Sequence, residues 1–139
     1  MGALTYEYLG DRDLRDAKYL LEVGSWSQVG RLLEQAVEKH FKHYISKYGD
    51  SSDKMLLGSH NMVGLYNRFL ELSGETVCCK TLADMSLLKD YYYDINYPGD
   101  NCRELDEIEA RNALDFVVPL ISIIKQHYYK IEQSNSFGE

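Results

Sequence analysis

Between Trp26 and Tyr48 the apolar side chains fall three or four residues apart with few exceptions: Trp26, Val29, Leu32, Leu33, Ala36, Val37, Phe41, Tyr44, Ile45 and Tyr48. That spacing follows one face of an α-helix and is foreign to the two-residue period of a β-strand. A helix over this stretch runs about six turns with a continuous apolar face, and such a face is stable only when other elements cover it. Ser25 and Gln28 stand at capping-box spacing before it, and Gly49 supplies the stop.

The same period recurs along most of the chain. Leu14, Ala17, Leu20 and Leu21 predict a helix over Asp11 to Val23 that Gly24 ends. Asp50 to Gly58 is polar and reads as a loop. A third helix is predicted over Ser59 to Ser73, with Met62, Leu65, Tyr66, Phe69 and Leu70 turned inward. A fourth opens at Thr81 and stops before Pro98, because the residue preceding a proline is pushed out of the helical region. Asn96 to Asp100 is then a turn. A last helix is predicted from about Asn101 to Ile131. Pro119 falls inside it, removes the hydrogen bond to the Asp115 carbonyl, and predicts a kink. The residues around that proline are apolar on more than one face, which suits either the central helix of a bundle or a subunit interface. No β alternation and no internal repeat is present. The expectation is an all-α, up-and-down bundle of about five helices, one domain over residues 1–139 with an ordered core of about 11–131.

A chain of 139 residues with 45% hydrophobic content can bury a core without metals or disulfides. Its longest apolar stretch, Ala113 to Ile124, is broken by Asp115, Pro119 and Ser122 and falls short of the ~20 residues that span a bilayer. The first residues show no secretory pattern. The three cysteines, Cys78, Cys79 and Cys102, form neither a metal-binding spacing nor an even framework. A cytoplasmic protein with reduced thiols is therefore expected, with no membrane association. A net charge of −7 argues against a broad, nonspecific hold on a polyanion, while leaving room for a local basic patch.

Few residues stand at catalytic or ligand spacing. His40 and His43 lie one turn apart on the long helix but have no third ligand nearby, so they read as partly exposed polar residues, and no metal or cofactor is expected. No Glu-x-x-His pair and no Gly-rich phosphate loop is present. One basic feature remains: Lys39, His43 and Lys47 form a strip along the long helix with Lys42 beside it. His60 stands across the loop, at a predicted helix start whose free amides suit an anion. Two readings fit this strip, a small phosphate site or cations that simply suit the end of a helix, with Glu38 and Lys42 as an ordinary surface pair. The twelve tyrosines, including Tyr91 to Tyr93, Tyr97 and Tyr128-Tyr129, read as core-edge residues or as base-stacking platforms.

Taken in order, Trp26, the run Leu33-Glu34-Gln35-Ala36-Val37-Glu38-Lys39-His40-Phe41-Lys42, Ser59-His60 leading to Leu65, Tyr92, Asn96-Tyr97-Pro98 and the acidic Glu107 to Ala110 start of the last helix resemble the HEPN domain, the higher eukaryote and prokaryote nucleotide-binding domain. The resemblance covers roughly Asp11 to Ile131. It implies an all-α bundle that forms a homodimer, and an accessory role beside a small nucleotidyltransferase or in a toxin-antitoxin-like pair. It also implies a nucleotide or RNA ligand, with Lys42, His60 and Tyr97 at recurring family positions and Lys39 their neighbour on the basic strip.

Some members of the family are ribonucleases that use an Arg followed by four to six residues and then His. None of the six arginines here, Arg12, Arg15, Arg31, Arg68, Arg103 and Arg111, has a histidine at that distance. Arg111-Asn112 resembles the start of the motif, but Phe116, Val117 and Val118 stand where the histidine belongs. The resemblance therefore implies a noncatalytic accessory module. Two alternatives are a protein-interaction module with no ligand, and a ribonuclease with a non-standard pair such as Arg111 and His127 from different subunits.

Overall fold

The computed structural model describes residues 4–76 and 104–137, with side chains as far as Tyr128. The fourth predicted helix, the Asn96 to Asp100 turn, the three cysteines and Tyr97 lie outside the described residues. All regular structure among the described residues is helical, as the periodicity requires.

Helix α1 spans Tyr6–Glu22 and begins five residues before the predicted start, because the Thr5 hydroxyl accepts a hydrogen bond from the Tyr8 amide at 3.1 Å and caps the additional turn. Gly24, at φ 82°, turns the chain back in the left-handed conformation that only glycine adopts at low cost. Helix α2 spans Trp26–Tyr48, the bounds the apolar spacing predicts. The expected capping box is not formed: Ser25 makes no side-chain cap bond, and the Gln28 side-chain oxygen accepts from Arg31 Nε at 3.0 Å.

The predicted loop contains a 3-10 turn, Ser51–Asp53, and the short helix α3, Lys54–Leu57. Asp50 and Asp53 cap this turn reciprocally, and Arg68 grips the Asp53 carboxylate with Nε at 2.8 Å and a second nitrogen at 3.1 Å. Helix α4 spans Met62–Ser73, starting three residues later than predicted, since Asn61 is the cap and its Oδ1 accepts from the Gly64 amide at 3.0 Å. Helix α5 spans Glu107–Phe137. It starts after the predicted Asn101 because Asp106 and Glu109 form the capping pair, Asp106 Oδ1 accepting from the Glu109 amide at 2.8 Å and Glu109 Oε1 from the Asp106 amide at 3.3 Å. α5 runs on through Pro119; that residue and Asp115 are both on its exposed side, where water can serve the carbonyl that lacks a donor.

The central helix is α2 and not the last one. It packs on α1, α4 and α5, and between Val29 and Ile45 most of its side chains are buried. Phe41, Tyr44 and Phe69 meet at its middle, with ring centroids 5.4 Å apart for Phe41–Phe69 and 5.2 Å for Tyr44–Phe69. Val117, Ile121, Ile124 and Tyr128 close the core from α5. Truncating Phe41 to alanine would cost about 3–5 kcal/mol, since all of its ring is buried. Among the described residues no helix is long and apolar enough to cross a membrane.

Candidate functional site

The buried face of α2 carries more charge than its apolar spacing suggests. Glu34, Glu38 and Lys42 recur every four residues, so they stack along one side of the helix, and all three are buried. The pair Glu38 and Lys42, expected at the surface, is thus an interior pair: its side chains are 3% and 9% exposed, with Nζ 3.9 Å from the carboxylate. The Glu38 carboxylate also lies 2.9 Å from Nδ1 of His60, whose side chain remains 53% exposed. Burial, and then the neighbouring Glu38, push the Glu34 carboxyl up to about 8, so it keeps its proton at neutral pH. Gln35 donates to it at 2.7 Å.

Three of the four predicted site residues can be placed. Lys42 and His60 come together on Glu38. Lys39 points the other way, towards α1, where its ammonium pairs with the buried Asp13. Tyr97 lies outside the described residues. His60 does not open a helix: it sits two residues before Met62, and Asn61 already occupies the amide that an anion would use. Glu38, Glu34, Asp11 and Asp13 escape a reading of the sequence. The available signal is positional, for Glu38 and Lys42 flank Phe41 and Ile45 on a helix whose apolar arc is too broad to leave them at the surface.

His40 and His43, expected to be partly exposed, are buried as well. The His40 ring lies between α1 and α5, with Nε2 3.1 Å from Asp11 Oδ1, out of line for a hydrogen bond. Lys125 of α5 holds the other Asp11 oxygen at 2.8 Å. Burial lowers His40 to about 4, so the ring is neutral at pH 7. His43 packs edge-on against Tyr128, with centroids 4.7 Å apart. No group of three metal-ligating side chains forms among the described residues.

Arg111 and His127, the non-standard ribonuclease pair, face different surroundings. Arg111 is exposed and bonded to Glu107 on its own helix at 3.1 Å. His127 is 15% exposed, packs edge-on against Tyr44 and Phe69, and bonds Glu75 at 2.7 Å.

A long, mostly buried central helix flanked by α1, α4 and α5, with a charged cluster where it meets the α4 entry, defines the chain as an all-α bundle of one recognisable class. The profile of the HEPN domain matches residues 9–127, and the chain belongs to that family, a class of nucleotide- and RNA-related modules. Among solved structures the chain is similar to TT1696 from Thermus thermophilus, with 20% identity over 88% of this chain and 94% of that one and a TM-score of 0.70, a likeness of fold. A search of curated proteins returned no match.

Proposed function

We propose that the chain works as a noncatalytic HEPN accessory module, nucleotide- or RNA-associated and homodimeric, in partnership with a nucleotidyltransferase. The observation that carries this reading is the arrangement around Glu38. A buried carboxylate holds the half-exposed His60 ring in place beside Lys42, which makes His60 an anchored surface donor of the kind that contacts a ligand phosphate. Lys42, His60 and Tyr97 are the residues assigned to that contact, while Lys39, turned to Asp13 on the α1 side, lies apart from it. The separate engagements of Arg111 and His127 favour the noncatalytic reading over a ribonuclease built from them. On α5, Ile108, Val118 and Ile123 are 71%, 38% and 40% exposed, separate apolar side chains that a second copy would cover.

Thermal-shift measurements with ATP, GTP, their diphosphates and a short RNA test the ligand. One of these at about ten times its dissociation constant should raise Tm by roughly 3–6 °C, and the rise should vanish in His60→Ala. Light scattering should give about twice the 16.1 kDa of one chain; a monomer mass would remove the dimer.

One observation favours a second reading, an interaction module with no ligand. Lys39 faces Asp13, and both Lys42 and His60 face Glu38, which weakens the pull on a phosphate. That reading expects no thermal shift with any nucleotide or RNA, together with a stable complex with a protein partner.

A further inference from the structure

Helix α1 carries two of its acids against neighbouring helices and turns both of its arginines to solvent, with Asp16 and Glu22 at the surface beside them. Asp13 is buried against Lys39 of α2, and Asp11 is bound by Lys125 of α5, so two of its negative charges are neutralised by neighbouring helices. On the solvent side Tyr8, Arg12, Arg15 and Tyr19 recur at intervals of four, three and four residues, which aligns them within about 60° around the axis over about 17 Å. All four are exposed, Tyr8 at 53% and Tyr19 at 63%, and Lys18 stands beside Tyr19. Arg12 and Lys18 have no hydrogen-bond or ion-pair partner among the described residues. Arg15 holds only its exposed neighbour Asp16, at 3.2 Å, a surface pair that exchanges readily for another anion.

Packing does not explain two tyrosine rings standing in solvent on either side of two arginines on a chain of net charge −7. The strip matches a partner that is both anionic and flat-faced. An acidic peptide offers the charge without the faces, and a duplex hides its base faces in the stack. We infer that the outer face of α1 binds single-stranded RNA, Tyr8 and Tyr19 stacking on bases while Arg12, Arg15 and Lys18 hold the phosphates between them. This rests on the RNA-associated reading above and moves the strand contact from the α2 strip to α1.

Fluorescence anisotropy with a labelled uridine-rich single strand tests the inference, beside the duplex of the same sequence and a polyglutamate peptide. The full chain should bind the single strand and prefer it to both controls. Tyr8→Ala with Tyr19→Ala should weaken binding about tenfold or more, whereas the corresponding Phe variants, which keep the rings, should retain it. Arg12→Ala with Arg15→Ala should reduce the slope of log affinity against log salt by about 1.4 between about 50 and 200 mM. These exposed positions leave the fold in place, which helical circular dichroism checks. Binding that ignores the α1 variants but is lost in His60→Ala would overturn the strip and leave the RNA-associated reading standing. Equal binding to polyglutamate, or no binding of the single strand at low salt, would overturn the strip outright, while a nucleotide-induced thermal shift would still support the accessory module.

Discussion

The Tyr128 hydroxyl of α5 donates to the His40 carbonyl oxygen of α2 at 2.7 Å, and the same phenolic oxygen lies 3.2 Å from His40 Nδ1. The phenol meets the backbone and the ring of one residue, its hydrogen on the carbonyl and its oxygen against Nδ1. One hydroxyl thus ties α5 to both the backbone and the side chain of α2 inside the core. Tyr128→Phe keeps the ring and leaves the buried His40 carbonyl and Nδ1 without the hydroxyl. The expected loss is about 1–3 kcal/mol, or a Tm lower by roughly 3–10 °C. Urea unfolding should show a lower midpoint at an unchanged slope; an unchanged midpoint would mean the hydroxyl contributes nothing net.

Gly10 of α1 lies against the same histidine. A Cβ built there would stand 2.8 Å from His40 Cδ2, 2.9 Å from Nε2 and 3.2 Å from the Ala36 carbonyl oxygen. Alanine normally gains about 1 kcal/mol over glycine inside a helix. Here it must displace a ring packed on three helices, at a cost of about 1–3 kcal/mol. Gly10→Ala should therefore lower Tm in the natural chain and raise it in a His40→Ala background, where the ring is gone. A double-mutant cycle measures the difference, and additive effects would show that the two residues do not compete for this space.

Two buried groups impose opposite pH dependences. Burial lowers His40 from 6.5 to about 4, so between these values the unfolded chain binds more protons, and stability falls as the pH drops through that window. Burial and Glu38 raise Glu34 from 4.5 to about 8, so there the folded chain binds more protons, and stability falls as the pH rises through that window. Between 4.5 and 6.5 the two slopes oppose each other; from 6.5 to 8 Glu34 acts alone. A calorimetric Tm series should be flat in the first interval and decline in the second. In Glu34→Gln the alkaline decline should shrink and a loss towards acid should emerge. A Glu34→Gln profile that overlays the natural one would remove the buried acid as its cause.

The long-range architecture is legible in the sequence because its signal is one-dimensional. Ten apolar residues at helical spacing define α2 to the residue, and only a helix satisfies them. The start of α4 is harder to place because Ser59 and Asn61 are both good caps, and only the position of Gly64 shows which oxygen is used. The site is half legible. Lys42 and His60 stand out as basic residue types near a loop, and the family resemblance joins them, but the carboxylate between them reads as a surface partner. Whether a charge four residues from another is solvated or buried depends on what covers that side of the helix, which spacing alone does not contain. Lys39 groups with Lys42 by proximity in sequence, although three residues of helix turn it about 60° away, far enough to face α1 instead of α4.

Removing charge from the Glu38 cluster should be strongly asymmetric. Glu38 has two partners, the Lys42 ammonium 3.9 Å away and the His60 ring 2.9 Å away, whereas Lys42 is one of the two partners of Glu38. Glu38→Ala strands a buried ammonium and should cost about 3–5 kcal/mol. Lys42→Met leaves the carboxylate its bond to His60 and replaces the ammonium with an apolar chain of similar length, so it should cost clearly less. Glu38→Leu with Lys42→Met removes both buried charges at nearly constant volume and should recover most of the loss, to within about 1 kcal/mol of the natural chain. Urea denaturation of the three variants reads the ordering directly. If the double variant is as unstable as Glu38→Ala, the carboxylate acts chiefly by holding His60 and the α4 entry, and the Lys42 pair is incidental to the fold.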